Sequence, residues 1–333
     1  MILKTTAYAR AGLIGNPSDG YNGKTISIIV RNFTAHVVLH ESDELEIQPG
    51  PDEQRRYSGI DDLLRELQLG GYYGGVRLVK AIIKRFALYC SQNGIQLAPK
   101  NFTLSYESSI PRRVGLAGSS AIVTATLRAL MQFYGVSIPL PVQPALILSA
   151  EKDELGIGAG LQDRVIQTYE GVVYMDFAKE LMARRGHGDY VCLDPALLPP
   201  LFLAYDTSLS EGSEVFHNNI RERFDRGEEA VVRAMRKFAA LADRAREALL
   251  AGRPHELGPL MSENFDTRRS LYQLGRRNIE MIEIARRHGA HAKFAGSGGA
   301  AIGTCADDST FEKLRNAYRE AGFEIIRPAI SPA

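Results

Sequence analysis

The stretch that decides the fold is residues 109–127, SIPRRVGLAGSSAIVTATL. It begins as a loop that contains Gly115 and Gly118, and it continues through two serines into an apolar run. Apolar residues at three- and four-residue spacing, together with several alanines, predict a buried helix over the second half. Serine is a favoured N-cap residue, so the sequence predicts that this helix begins at Ser119 or Ser120.

A loop of this kind in front of a helix is suited to binding phosphate. The first turn of a helix has unpaired backbone N–H groups and carries the positive end of the helix dipole. Glycines remove the Cβ atoms that would keep a phosphate away from those donors, and a first-turn hydroxyl can reach a phosphate-bound Mg²⁺. An ordinary serine-capped turn contains the same residue types, so the pattern alone leaves both interpretations open.

The stretch resembles the central motif of the GHMP small-molecule kinases, the family of the galacto-, homoserine, mevalonate and phosphomevalonate kinases. Two other segments resemble the family's first and third motifs in the expected order, AYARAGLIG at residues 7–15 and KFAGSGGA at residues 293–300. Three motifs in order are far more specific than one. The resemblance implies that ATP and Mg²⁺ are bound, with an ATP-binding set of Pro111, Gly115, Leu116, Ala117, Gly118, Ser119, Ser120 and Ala121.

The resemblance also implies the fold, which is α+β in two domains. The N-terminal domain is expected to be ribosomal-protein-S5-like and the C-terminal domain ferredoxin-like. The run Leu-Leu-Pro-Pro at 197–200 is the best boundary, giving domains of residues 1–198 and 199–333. Residue patterns predict strands at Thr25–Val30 and Thr34–His40, a helix at Gly75–Asn93 and a short surface helix at Ile60–Leu67.

The composition is that of an ordinary globular protein. The chain has 333 residues, of which 45% are hydrophobic and 24% charged, and its formal net charge is +1. Neither nucleic acid nor an anionic membrane is therefore an expected partner, and the oligomeric state is not indicated. The N-terminal segment lacks the apolar core of a signal peptide, and the three distant cysteines fit no zinc or disulfide spacing. We expect a cytoplasmic protein with free thiols.

The carboxylates on either side of the glycine-rich segment 156–160 are the candidates for chemistry. Phosphoryl transfer needs alignment, charge neutralisation and a group that orients the acceptor hydroxyl. In the resemblance, Asp163 falls on the catalytic aspartate, and Arg10 falls on the basic residue beside it. Glu151 falls on the magnesium-binding glutamate, with the hydroxyl of Ser120 as its companion ligand. Judged by residue type alone, these carboxylates would be solvated surface charges.

Departures from the general motifs narrow the choice of substrate. GNPSD at residues 15–19, GKTIS at 23–27 and ENFDTRRS at 263–270 resemble the glucuronokinase branch of the family. That branch phosphorylates the anomeric hydroxyl of D-glucuronate with ATP. The substrate-binding residues that this resemblance implies are Asn16, Ser18, Asp19, Lys24, Arg268, Arg269, Gly296, Ser297 and Gly298.

A uronate is distinguished from its parent sugar by a carboxylate, which an arginine can bind through two parallel hydrogen bonds. Adjacent residues on a helix point about 100° apart, so only one of Arg268 and Arg269 is expected to reach the substrate. Arg268 is favoured. Three alternatives stay open: a kinase for another sugar such as galacturonate, a heptose phosphate or a neutral hexose; a decarboxylase; and a non-catalytic sugar sensor. The presence of both Glu151 and Asp163 counts against the sensor.

Overall fold

The computed structural model describes residues 2–49, 74–206 and 214–331, with side chains from residue 220 in the last range. Its strands are β1 Ile2–Ile14, β2 Lys24–Ser42, β3 Glu46–Gln48, β4 Asn101–Ser108, β5 Val172–Asp176, β6 Asp189–Leu193, β7 Leu201–Tyr205, β8 His291–Phe294, β9 Ala300–Thr304 and β10 Glu324–Ile326. Its helices are α1 Gly75–Gln92, α2 Gly118–Tyr134, α3 Gln143–Lys152, α4 Gln162–Tyr169, α5 Lys179–Arg185, α6 Glu214–Asp225, α7 Glu229–Leu250, α8 Leu257–Leu271, α9 Arg276–Arg287 and α10 Asp308–Glu320. The helix expected at Ile60–Leu67 lies outside the described residues.

The first sheet is built around β2. Its strand order is β3-β4-β2-β5-β6, and β1 pairs with β2 in antiparallel fashion. The prediction of two separate strands at Thr25–Val30 and Thr34–His40 is wrong, because β2 runs through both without interruption. The register shifts between Tyr8 and Ala9 of β1, so a bulge in β2 absorbs the residues between the two segments while pairing continues on either side.

Helix α2 packs across β1 and β2, and its position fixes the phosphate-binding loop. The helix begins at Gly118, one residue before the predicted serines. Ala117 is the N-cap residue, in the left-handed region at φ 62°, and no side chain caps the helix. Both serines lie inside the first turn and not at the N-cap position, and their hydroxyls donate elsewhere, that of Ser119 to Glu151 and that of Ser120 to the carbonyl of Ala117.

The second sheet is antiparallel, with strand order β10-β7-β9-β8. Helices α9 and α10 cover it around a core that includes Phe202, Phe294 and Tyr318. This arrangement has the ferredoxin-like character that the sequence predicts. The two sheets meet near the end of β1, where the N–H of Gly12 donates to the carbonyl of Ala295 at 2.7 Å. Among the described helices, none has the length and apolarity that crossing a membrane requires.

Candidate active site

Two glycine-rich loops meet backbone to backbone at the junction of the sheets. Gly115, in the loop before α2, has φ +66°, and a Cβ there would lie 2.6 Å from the carbonyl oxygen of Gly298. Reciprocally, a Cβ on Gly296 would lie 2.3 Å from the carbonyl oxygen of Gly115. Real Cβ atoms do not approach backbone so closely, and the contact therefore requires glycine on both sides. The central and third motifs of the sequence thus form one surface.

Two cationic side chains, Arg268 and Lys293, stabilise the third-motif loop at residues 293–300 through hydrogen bonds. Arg268 donates from Nη1 to the carbonyl of Gly296 at 2.7 Å and from Nη2 to that of Ser297 at 2.9 Å. The buried ammonium of Lys293 donates to the carbonyls of Gly12 and Phe294 and to Oδ1 of Asn16. Burial lowers the pKa of Lys293 well below its usual value. The hydrogen bond from Lys293 to the amide oxygen of Asn16 therefore connects the third motif to the residue that follows the first motif.

Asp163 lies in the first turn of α4, between two arginines. Nε of Arg10 donates to its Oδ1 at 2.6 Å, and Nη1 of Arg164 donates to its Oδ2 at 3.2 Å. Arg10 also donates from Nη1 to the carbonyl of Gly115 at 2.6 Å, which places the pair beside the phosphate-binding loop. Burial by itself would raise the pKa of Asp163, but the charges of Arg10 and Arg164 lower it overall. The carboxylate is therefore held in its ionised form.

Glu151, at the end of α3, is 0% exposed. Its Oε1 accepts a hydrogen bond from the Ser119 hydroxyl at 2.8 Å, and its Oε2 accepts from Nε of Arg164 at 2.8 Å. The predicted companion of Glu151 was Ser120, whose hydroxyl instead bonds the carbonyl of Ala117 at 3.2 Å. Ser119 is therefore the serine whose hydroxyl faces Glu151.

The oxygen atoms of Ser119 and Glu151 are the donors that a Mg²⁺ ion prefers. The ion is usually held by one or two carboxylates together with the phosphates of its substrate and with water. No group of three or more carboxylate, histidine or cysteine side chains suited to a metal occurs in the described ranges. The residues present therefore fit a metal that arrives with a nucleotide rather than one held by protein alone.

Of the predicted first-motif contacts, Asp19 lies beside Asp163. Its Oδ2 is 3.4 Å from the backbone nitrogen of Gln162, at the start of α4. Burial, followed by the charge of Asp163, raises the pKa of Asp19 to about 6. Two carboxylates with pKa values displaced in opposite directions therefore share one end of the site, an arrangement typical of functional sites.

Ser18 and Lys24, which the sequence also proposes as substrate contacts, are engaged elsewhere. The Ser18 hydroxyl donates to the carbonyl of Lys24 at 2.9 Å and accepts from its N–H at 3.1 Å, which closes the turn before β2. Nζ of Lys24 donates to Oδ2 of Asp243 on α7 at 2.8 Å and lies 3.5 Å from Asp176 on β5. Strand pairing with β5 directs the lysine side chain toward these acids.

The paired arginines on α8 have different environments. Arg268 is 3% exposed, whereas the Arg269 side chain is 49% exposed and lies 3.1 Å from Glu283. The sequence predicts two parallel hydrogen bonds from one of these arginines to a carboxylate, but both Nη atoms of Arg268 donate to carbonyls of the third-motif loop. Within the described chain, its Nε has no hydrogen-bond partner.

Tyr272 follows Arg268 by one helical turn and was not singled out from the sequence. It is 7% exposed, and its hydroxyl has no hydrogen-bond partner among the residues that the structure describes. Burial raises the pKa of Tyr272, the charge of Arg268 opposes this rise, and that of Asp19 adds to it. The tyrosine is thus electrostatically coupled to both groups. Its spacing of four residues from Arg268 was the available sequence signal.

Comparisons with known proteins show the family to which the chain is related. Two family models match, "GHMP kinases N terminal domain" over residues 77–171 and "GHMP kinases C terminal" over residues 245–324. Glucuronokinase 1 of Arabidopsis thaliana is 48% identical, in an alignment covering 98% of this chain and 92% of that protein.

Two solved structures share the fold. The Lin0012 protein from Listeria innocua has a TM-score of 0.82 at 15% identity, covering 100% of this chain and 98% of its own. The galactokinase of Lactococcus lactis, complexed with galactose, has a TM-score of 0.75 at 17% identity, covering 99% of this chain and 93% of its own.

Proposed function

The chain belongs to the GHMP kinase family, and we propose that it transfers the terminal phosphoryl group of ATP to the anomeric hydroxyl of D-glucuronate. The products are glucuronate 1-phosphate and ADP. The observation that carries the reaction class is the 2.6 Å ion pair of Arg10 and Asp163 at the edge of the phosphate-binding loop. The substrate is supported by 48% identity to a glucuronokinase over nearly the whole of both chains.

The nucleotide phosphates bind at the N-terminus of α2. Gly118 opens this helix, and a Cβ built on it would make only ordinary contact with the side chain of Ile110, at 3.5 Å. Backbone N–H groups and the helix dipole supply the attraction for phosphate there. Ser119 and Glu151 are placed to hold Mg²⁺, which when bound neutralises charge on the transferring phosphates.

Asp163 acts on the acceptor. Its carboxylate orients the anomeric hydroxyl and takes its proton as the hydroxyl oxygen bonds to the terminal phosphorus and the bond to ADP breaks. Arg10 keeps the carboxylate oriented through Nε, and its charge stabilises the transferring phosphoryl group. The proton of the hydroxyl is transferred to the Asp163 carboxylate, which releases it to solvent after the products have formed.

The uronate carboxylate is placed at Tyr272 and Arg268. Among the residues that the structure describes, the Tyr272 hydroxyl and Nε of Arg268 are buried donors without a partner, and leaving such a donor unmet costs about 1–3 kcal/mol. A ligand carboxylate would satisfy both donors and would be stabilised by the charge of Arg268. Asp19, beside Asp163, accepts a hydrogen bond from a sugar hydroxyl between the two ends.

The test is a substrate panel with the purified protein, ATP and Mg²⁺, following ADP release and identifying the product by phosphorus NMR. Glucuronate is expected to exceed glucose by about tenfold or more in kcat/KM and to give the anomeric phosphate. Equal turnover of glucose, galacturonate or a heptose phosphate would refute the substrate. Absence of ADP release with every sugar would refute the reaction class. Tyr272→Phe should lower kcat/KM for glucuronate and leave that for glucose unchanged.

A further inference from the structure

We propose that Arg164 is a positioning residue that couples the magnesium end of the active site to its acceptor end. The inference rests on the proposed function, because it concerns the two carboxylates assigned above to the metal and to the acceptor. Neither the family motifs nor the sequence argument gave Arg164 a role.

The guanidinium of Arg164 lies between Glu151 and Asp163. It donates to Oε2 of Glu151 from Nε at 2.8 Å and also from Nη2, and it donates from Nη1 to Oδ2 of Asp163 at 3.2 Å and to the carbonyl of Gly160 at 3.0 Å. The residue is 3% exposed, so water screens these contacts little. All three nitrogens of its planar guanidinium donate, which an ammonium could not reproduce.

Hydrogen bonds extend this bridge in both directions. On one side, Oε1 of Glu151 accepts from Ser119 in the first turn of α2, where the phosphates are expected. On the other side, Oδ1 of Asp163 accepts from Nε of Arg10. A continuous chain of charged and polar groups therefore runs from the phosphate-binding helix to the residue that orients the acceptor.

Two consequences follow from the chemistry of this chain. Arg164 fixes the rotamer of Glu151, so that Oε1 faces Ser119 and the metal position. It also shares one positive charge between two carboxylates, so removal of either negative charge strengthens its interaction with the other. A substitution at the acceptor end must therefore change metal binding at the opposite end, although Asp163 is not itself a proposed ligand.

The first experiment compares Arg164→Lys with the wild type. The lysine keeps the charge, so folding should be retained, which a thermal unfolding curve would verify. Loss of the fork should weaken Mg·ATP binding, measured by calorimetry without sugar, by about tenfold, because supporting partners of metal ligands typically have effects of this size. In turnover assays kcat should fall while KM for the sugar changes little.

Arg128→Lys is the matched control. Arg128 also pairs with a carboxylate, Nη1 to Oε1 of Glu170 at 3.0 Å, but it lies on the far part of α2 from the phosphate-binding turn. This substitution should leave Mg·ATP affinity and kcat unchanged. Wild-type Mg·ATP affinity in a folded Arg164→Lys protein, or an equal loss in Arg128→Lys, would overturn the proposal.

The second experiment measures the coupling itself. Asp163→Asn should shift Mg·ATP affinity by about threefold or more in the wild-type background and by a clearly smaller factor in the Arg164→Lys background, which keeps the charge but loses the fork. An unchanged affinity in the single variant, or the same shift in both backgrounds, would refute the coupling. Calorimetry with Mg·ATP alone keeps this test separate from the substrate assignment, since it requires no sugar to be phosphorylated.

Discussion

The candidate active site has two halves, one formed by backbone atoms and the other by charged side chains. The phosphate half consists of backbone, with Gly115 and Gly296 in contact and Gly118 as the first residue of the helix. The acceptor half consists of charged side chains, in which Asp163 and Glu151 share Arg164. The first half requires glycines, because a Cβ atom would not fit there. The second half requires that each charged side chain keep its oppositely charged partner. They should therefore fail in different ways when substituted.

The largest effect is expected from filling the space in the backbone half. Gly118→Val should abolish ATP binding, because a branched side chain would occupy the position of the phosphate. The fold should survive, since the nearest protein atom to a Cβ at Gly118 is 3.5 Å away. Calorimetry with ATP measures the loss. Gly158→Val, at an exposed glycine with open space around it, is the control. Wild-type ATP affinity in folded Gly118→Val would remove the loop from the nucleotide site.

The next effect tests the charged half by removing one charge without changing shape. Asp163→Asn should lower kcat by about a hundredfold or more while ATP still binds, because the lost group acts on the acceptor hydroxyl. Steady-state kinetics with glucuronate and calorimetry with ATP separate the two quantities. Turnover near that of the wild type would show that another group orients the hydroxyl.

A smaller effect distinguishes the buried from the exposed arginine of α8. Arg268→Leu should reduce the preference for glucuronate over glucose by about tenfold, because it removes the cation proposed to meet the carboxylate. Arg269→Leu should leave that preference unaltered, since its side chain is exposed and pairs with Glu283. The ratio of kcat/KM for the two sugars is the measurement, with unfolding curves to verify the fold. The reverse ranking of the two variants would contradict the placement of the carboxylate.

The smallest effect is one of stability and concerns Asp19. Its pKa in the folded protein is raised to about 6, chiefly by burial and then by the charge of Asp163. Between about pH 4 and 6 the folded protein thus binds more protons than the unfolded chain at this position, and stability falls as pH rises through that window. Asp19→Asn should therefore be more stable than the wild type above pH 6, by on the order of 1 kcal/mol, and equal to it near pH 4. A constant difference across this range in chemical denaturation would contradict the shift.

The backbone half was the easier half to predict from the sequence. The glycines before an apolar helical run are compatible with a phosphate loop, the resemblance to the family's central motif favours it, and the same resemblance implies the ferredoxin-like second sheet. The resemblance nevertheless paired Ser120 with Glu151, whereas Ser119 is the serine that donates to this carboxylate. Adjacent residues on a helix point about 100° apart, so two neighbouring serines face different groups.

The charged half was harder to predict, because its partners are chosen by packing. Arg164 reaches Glu151 only because α3 and α4 lie side by side, which no local pattern encodes. The sequence proposes Lys24 as a substrate contact in its glycine-rich turn, yet strand pairing places it opposite Asp176, and the packing of α7 on β2 brings Asp243 to its ammonium. The sequence shows which residues are charged, but only the tertiary structure determines which of them form ion pairs.

The contacts of Arg10 have a consequence for how the protein is made. Ribosomes synthesise the N-terminus first, yet one acceptor of this arginine is the carbonyl of Ala295, 285 positions later. The carbonyl of Gly12 likewise accepts a hydrogen bond from the ammonium of Lys293, which is synthesised 281 positions later. A nascent chain that has passed Asp163 already carries the residues proposed for catalysis but not the loop that closes behind them. Translation that stops short of residue 293 therefore leaves a polypeptide with its catalytic groups and no completed site.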